Sequence, residues 1–504
     1  MYVDETHTQV PISWSDLRRQ VGALAAELRA LGVTPGDRVS GYLPNIPQAV
    51  VAFLATAAVG GVWTSCAPDF GARSVLDRFQ QIEPVVLFTV DGYRYGGKEH
   101  DRTETVAELR RELPTLRAVV HIPLLGTDAP EGALAWAALT SADTEPIFEQ
   151  VPFDHPLWVL YSSGTTGLPK GVMQPYHAWN AGIINQITNW GLTPDDRYVV
   201  AAPVTHGTGT YLLPVLASGG AHVLLEAATP AAITAAFRER GGTLSFMPPT
   251  LIYMIMAQPG VSRADFPRLR NLIYGGAPMP PEKIERARAF FGPVLGTTYG
   301  QTEAPQIVTV LRPADLDAPE NRASVGRVTW LSDVAIMAPD GALLPRGEIG
   351  EVVVRGDLVM SGYWRLPEKT AETVIDGWLH TGDTGLIDPR GYLFLKDRLR
   401  DVIITGGFNV YPVDVENALS AHPAVYECSV FGLPDDKWGE AVHAAVQFHP
   451  GATADADALK AHVRGLLGPV ATPKQFHIHD SLPRSPVGKV LKNAVRDAAL
   501  KETP

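Results

Sequence analysis

Tyr161 to Val172 reads YSSGTTGLPKGV and follows the apolar residues Trp158, Val159 and Leu160. Four of its twelve residues are Ser or Thr and three are Gly, so the backbone can bend tightly while N–H and O–H donors converge on something anionic. A phosphate suits this composition best. The run Trp158 to Tyr161 predicts a buried strand that fixes one end of the loop on a rigid element. A flexible Gly/Ser/Thr surface loop is the other reading of such a run. An ordinary Walker loop fits poorly, because no GKS or GKT follows four residues after a glycine.

Upstream of this loop, Ser15 is the expected cap of a helix whose Leu17, Val21, Leu24, Leu28 and Leu31 recur at spacings of three and four, with Gly32 placed to end it. A strand is expected at Arg38 to Leu43, a helix from about Pro47 and another strand at Val85 to Val90, which is a βαβ beginning. Gly92 to about Gln150 is richer in charge and turn residues and reads as a peripheral excursion. Downstream, strands are expected at Tyr198 to Ala202, His222 to Leu225, Thr243 to Met247 and Leu272 to Tyr274, with helices between them such as Ala231 to Arg240. Alternating strands and helices predict a parallel α/β sheet covered on both faces, with ligands at the carboxyl ends of its strands. From Val325 the texture changes to short strands and turns such as Pro339-Asp340-Gly341, which predicts a small β-rich subdomain or barrel. Beyond a charged segment at Lys396 to Asp401 lies a compact α/β unit with strands at Tyr426 to Phe431 and Val442 to Phe448. The expected division is therefore 1–399, including the β-rich part at about 325–399, and 400–504, with a hinge near Leu399-Arg400.

The chain has 504 residues, 45% hydrophobic and 19% charged, which is too long for one ordinary domain and lies far from disorder. Its net charge of −12, with no dense Lys/Arg run, gives nucleic-acid binding little support. Two cysteines, Cys66 and Cys428, make no disulfide framework. The apolar run Ala49 to Trp63 is shorter than the roughly 20 residues that span a bilayer and reads as a buried helix entering a buried strand, so no membrane span is expected. The first residues, MYVDETHTQV, lack a secretory pattern. A cytoplasmic location is the expectation.

Several further stretches carry chemistry. In LIYGGAP, Leu272 to Pro278, a strand ends in two glycines that let a flat ring lie against the backbone; a tight turn is the alternative. In TTYGQTE, Thr297 to Glu303, Tyr299 can stack on a base, Thr302 can bond a phosphate oxygen and Glu303 can hold Mg²⁺, although a polar surface turn uses the same residue types. HTGDTG places Asp383 at a strand end, where a carboxylate accepts from ribose hydroxyls or closes an Asx-turn. SLPRSPVGKVLK is a Pro- and Gly-punctuated loop around Lys489, in a region where most lysines are simply solvated. His206 in AAPVTHGTG follows a strand, and a lone histidine there is more often structural than catalytic.

Together, SSGTTGLPKGV, LIYGGAP, TTYGQTE, HTGDTG with KDRLRD, and PRSPVGK resemble, in this order, the core motifs of the adenylate-forming superfamily of acyl-CoA synthetases, peptide-synthetase adenylation domains and luciferases. The resemblance covers nearly the whole chain. It implies a large N-terminal domain and a small mobile C-terminal one, with ATP, Mg²⁺ and coenzyme A as reactants or cofactors. It assigns Ser162, Ser163, Gly164, Thr165, Thr166, Gly167 and Lys170 to the phosphates, and Gly276 and Ala277 to adenine. Thr298, Tyr299, Gly300, Gln301 and Thr302 complete the nucleotide site with Asp383 and Arg398 at the ribose. Glu303 is assigned to the metal, and Lys489, Thr165 and Glu303 to catalysis. His206, Gly275 and Gly300 fall to the acyl pocket, Gly406 and Gly407 to the CoA channel, and Arg400 to the hinge.

Val204 to Thr210 contains no acid to pair with a substrate ammonium, which makes amino acids poor substrates. Gly300, where acetate-specific members carry a tryptophan, leaves room for a longer or ring-bearing acid. WTSCAPDFGARSVLDRF resembles acetyl- and acetoacetyl-CoA synthetases, whereas the segment from Val204 resembles ligases for medium-chain, aromatic or alicyclic acids. The expected reaction is therefore acid plus ATP to acyl-adenylate, then thioester and AMP, with a carrier protein as the alternative acceptor. A homodimer is left open.

Overall fold

The computed structural model describes residues 1–5, 8–162, 169–205, 207–398, 401–405, 408–435, 437–484 and 490–502. The expected α/β architecture is present as two large sheets. One has nine strands, in the order Arg327–Val328, Ala304–Leu311, Leu295–Gln301, Asn271–Tyr274, Leu244–Met247, Arg197–Val200, Ala221–Leu225, Tyr2–Val3 and Gln9–Val10. Its pairings are parallel from Tyr2–Val3 through Leu295–Gln301 and antiparallel at both edges. The second has eight strands, in the order Gly362–Tyr363, Lys170–Pro175, Pro156–Ser162, Val62–Cys66, Arg38–Tyr42, Val86–Val90, Ala118–Ile122 and Leu134–Ala135.

The central strands are almost wholly buried, which is why they read as continuous apolar runs with little alternation. Aromatic side chains fill the largest core. Trp158 stacks on Trp179 at 5.2 Å between ring centroids and meets Phe53 at 4.8 Å. The run at Ala49 to Trp63 is the helix Pro47–Ala58 entering the strand Val62–Cys66, and no helix among the described residues is long and apolar enough to cross a membrane.

Two expectations need correction. The first helix, Trp14–Ala30, is capped by Ser13, whose hydroxyl accepts from the Asp16 amide; Ser15 lies inside its first turn. The segment 92–150 is not wholly peripheral either. Its strand Ala118–Ile122 is buried and lies beside Val86–Val90 in the eight-stranded sheet.

After the large sheets comes a five-stranded antiparallel sheet containing Asp333–Met337, Gly350–Arg355, Val374–Ile375, Trp378–Ile387 and Leu393–Arg398. This is the expected β-rich part. A second five-stranded sheet near the C-terminus is built on the long hairpin Val425–Asp435 and Gly439–Phe448 and is accompanied by the helices Pro412–Ser420, Ala456–Leu467 and Lys492–Glu502.

Charges knit the strand Leu393–Arg398 to that C-terminal sheet's helices. Lys396 pairs with Asp414 at 3.1 Å, and Lys492 lies 3.3 Å from Glu416 and 3.7 Å from Asp397. One ammonium thus serves Glu416 and Asp397, with Asp401 also acting on it. Burial, only partly offset by Lys492, pushes the Asp397 carboxyl up to about 6.

In the unfolded chain the same carboxyl titrates near 3.8. Between these values the folded protein binds the extra proton, so this group's contribution to stability falls as pH rises through about 6. Asp397→Asn removes that dependence. Thermal melts of the variant and the parent from pH 5 to pH 8 are expected to shift in the variant's favour as pH rises, by about 1–3 kcal/mol across the range. Parallel curves would show that Asp397 does not titrate there.

Candidate active site

The phosphate-loop stretch connects two antiparallel neighbours. Ser162 ends the strand Pro156–Ser162, Lys170 begins Lys170–Pro175, and the two residues lie directly opposite each other. The far end is tied down from outside, because the Gln81 side chain donates to the Pro169 carbonyl at 2.7 Å. Ser163, Gly164, Thr165, Thr166 and Gly167 lie outside the described residues, as do His206, Arg400, Gly406, Gly407 and Lys489.

Lys170 does not point into open solvent. Its Nζ lies 4.0 Å from the centroid of the Tyr363 ring. The Tyr363 hydroxyl in turn donates to Oε1 of buried Glu303 at 2.8 Å. Burial raises the Tyr363 phenol's pKa, and the nearby Glu303 carboxylate adds to the shift. Backbone bonds fix this arrangement: the Met360 amide donates to the Glu303 carbonyl at 2.8 Å, and the Trp364 amide to the Gly171 carbonyl at 2.7 Å. The Gln174 side chain donates to the Thr302 carbonyl, adding a further tie between the turn at 302–303 and the strand carrying Lys170.

A second cluster surrounds Asp383, which is 8% exposed. Its Oδ2 accepts from the Tyr299 hydroxyl at 2.7 Å, and its Oδ1 pairs with Arg398 Nε at 2.8 Å. Asp383 and Arg398 are cross-strand partners, so the pairing follows from register. Burial, then the Asp383 carboxylate, pushes the Tyr299 phenol well above its ordinary range.

The turn carrying Asp383 is clamped by Glu351. One of its oxygens accepts from the Gly382 amide at 3.0 Å, and the other meets His380 Nδ1 at 2.8 Å. Gly382 has φ +69°, a backbone setting that glycine adopts without a Cβ penalty.

The third part is an aromatic wall. Phe246, near the end of Leu244–Met247, stacks on Tyr211 at 5.4 Å. The same ring fills the space beside Gly275, where an added Cβ would meet it at 2.5 Å, and it also faces Gly207. Gln306, at φ +64°, donates through Nε2 to Thr298 Oγ1 at 3.2 Å and to the Tyr211 hydroxyl at 3.4 Å. Gly276 is exposed with no atom near its missing Cβ, and Ala277 is half-buried beside it. Gln301 is part-exposed, with Nε2 bonded to no described residue.

Gly300 is also tightly packed. A Cβ there would meet the backbone of Gln306 at 2.6 Å and the Ala304 carbonyl at 2.9 Å. The close approach of the two strands gives glycine a packing reason at this position beside the pocket role that the resemblance implies.

The structure therefore brings Lys170 and Glu303 together through Tyr363, and Tyr299, Asp383 and Arg398 into direct contact. Tyr363, Glu351, Phe246, Tyr211 and Gln306 were not singled out in the sequence. Of these, only Tyr363 carried a local signal, standing directly after a glycine in SGYW.

Residues 2–364 match the family described as AMP-binding enzyme, and residues 414–489 match the AMP-binding enzyme C-terminal domain. The chain belongs to this family. It is an AMP-forming acyl-CoA ligase, with ATP, CoA and a carboxylic acid as substrates. A feruloyl-CoA synthase from an Amycolatopsis species is 36% identical over 97% of this chain and 94% of its own length. A fatty acid–[acyl-carrier-protein] ligase from Streptomyces coeruleorubidus is 32% identical over 96% of this chain and 91% of its own. Among solved structures, the acetoacetyl-CoA synthetase from Streptomyces lividans superposes with a TM-score of 0.88 at 40% identity, covering all of this chain and 79% of that one.

Gly300→Ala separates the packing reason from the pocket role. Packing alone is expected to destabilise the protein by about 1–3 kcal/mol, as overpacking against backbone does, and to impair activation of acids of every size together. A normal melting temperature with a selective loss of large acids would assign Gly300 to the pocket.

Proposed function

We propose that this ligase activates a carboxylic acid larger than acetate, of the medium-chain, aromatic or alicyclic kind. The observation that carries this reading is the likeness to the feruloyl-CoA synthase, whose acid is ring-bearing. Within this chain Phe246, 7% exposed, stacks on the fully buried Tyr211 beside Thr298 and Gln306 and gives the proposed acid site an apolar backing.

In the proposed mechanism the donors of Ser162 to Gly167, with Lys170, hold the β- and γ-phosphates. Gly276 and Ala277 offer a flat seat for adenine. Asp383, held by Tyr299 and Arg398, is assigned to the ribose, whose hydroxyls donate to its carboxylate. Glu303 fits a hard cation, because one of its oxygens is oriented by Tyr363 and the other accepts from no described side chain. Mg²⁺ there supplies charge neutralisation at the phosphates.

The acid's carboxylate oxygen attacks the α-phosphorus in line and pyrophosphate leaves. Lys489 stabilises the charge that develops between acid and phosphate. The CoA thiol then attacks the adenylate carbonyl and releases AMP and the thioester. Positioning and electrostatics account for the rate. Between the half-reactions the part beyond about residue 399 turns near Arg400, withdrawing Lys489 and presenting Gly406 and Gly407 to the pantetheine arm. A carrier-protein phosphopantetheine as the acceptor is the second reading, favoured by the carrier-protein ligase relative.

Mass spectrometry of product mixtures from acetate through octanoate, acetoacetate, benzoate and cinnamate, each with Mg-ATP and either CoA or a carrier protein bearing a free phosphopantetheine thiol, separates the readings. An acyl-CoA from a medium-chain or ring-bearing acid is expected. Product from acetate or acetoacetate alone would overturn the size assignment, and transfer only to the carrier would establish the second reading. Lys489→Ala is expected to lower adenylation about 10²- to 10³-fold while leaving ATP binding intact; an unchanged rate would remove Lys489 from the mechanism.

A further inference from the structure

The geometry points to Tyr363 as a positioning residue that holds Lys170 and Glu303 apart and aims each at the nucleotide, an assignment that rests on the nucleotide site proposed above. Lys170 and Glu303 carry opposite charges and meet the same aromatic side chain. Lys170 sits over its face at 4.0 Å, while Glu303 accepts from its hydroxyl at 2.8 Å. Opposite charges that meet at one side chain attract each other, and if that side chain were absent they could join in a direct ion pair. Neither would then be available to a polyphosphate or its metal. Tyr363 gives each charge a partner of a different kind: a ring face for the cation and a phenolic donor for the anion.

The backbone around Tyr363 shows why this side chain cannot drift. Gly362–Tyr363 is a two-residue edge strand, pairing Val172 with Tyr363 and Met173 with Gly362 in the sheet that carries Lys170. Its amide donates to Thr370 Oγ1 at 2.9 Å. Gly362, at φ +140°, lets Thr370 approach so closely that an added Cβ would meet its side chain at 2.8 Å. Tyr363 is itself 3% exposed. The residue thus stands on one large sheet and reaches the turn that ends a strand of the other, where Glu303 lies.

Calorimetric binding of ATP to the full chain, without any acid, tests the assignment in the presence and absence of Mg²⁺. Tyr363→Phe keeps the ring under Lys170 and removes only the donor to Glu303. It is expected to weaken Mg-ATP binding about tenfold and leave metal-free ATP binding unchanged. Tyr363→Leu removes the ring as well and is expected to weaken metal-free binding too.

Because the hydroxyl acts through Glu303, adding Tyr363→Phe to Glu303→Gln should cost much less than Tyr363→Phe alone. This comparison serves even if the single phenylalanine variant melts early. Equal Mg-ATP affinity in Tyr363→Phe and the parent, or full additivity in the double variant, would overturn the role assigned to the hydroxyl. Unchanged metal-free binding in Tyr363→Leu would overturn the seat assigned to Lys170. A parent protein that binds no ATP would instead remove the nucleotide site itself.

Discussion

Asp383 lies almost out of reach of water, and an ionised carboxylate in such a place is costly unless its oxygens are matched. The match comes from two directions. Arg398 approaches from the neighbouring strand of the antiparallel sheet, and Tyr299 reaches across from the nine-stranded sheet. Removing either partner weakens the match to a buried carboxylate, so the two sheets are bound to each other at this point by more than packing. Gly382, the Glu351 clamp and the strand register all help to place this one carboxylate.

A parallel tie joins the other large sheet. The segment 360–364 bonds to the Glu303 carbonyl on one side and to the strand from Lys170 on the other. The proposed nucleotide site therefore lies where three sheets meet, and each contributes a charged group from a strand end or hairpin turn. This is the place where open α/β sheets collect ligands. On the side where the acid is proposed to sit, Phe246 and Tyr211 pack in the core, with Phe246 against Gly275 and Gly207.

Much of this was legible in the sequence. The strands around Trp158 and Leu272 announced themselves as apolar runs bounded by turn residues, and the ordered motifs located Asp383, Arg398 and Glu303 before any contact was known. What stayed hidden depended on long-range geometry. Nothing local to Tyr363 or Phe246 says that one will touch a carboxylate 60 residues away or that the other will press on Gly275. Gly300 has two readings for the same reason: glycine in a motif can mark room for a ligand or room for a neighbouring strand, and the sequence alone does not show the close backbone neighbours at this position. Ser15 is the cap only of a helix that begins after it; the helix begins at Trp14, which leaves Ser13 to cap it.

The direct pairing of Ser162 with Lys170 has a thermodynamic consequence. Bringing the two ends of a chain segment together costs entropy that grows with the logarithm of its length. Here the cost is carried by the strand ladder, whether or not a nucleotide is present. The ends of the segment are thus held at a fixed separation before any phosphate binds, and more of the interaction energy of binding survives as affinity. The hairpin acts as a frame of set width, so a residue inserted between Ser162 and Lys170 would lengthen the segment and leave the gap it spans unchanged.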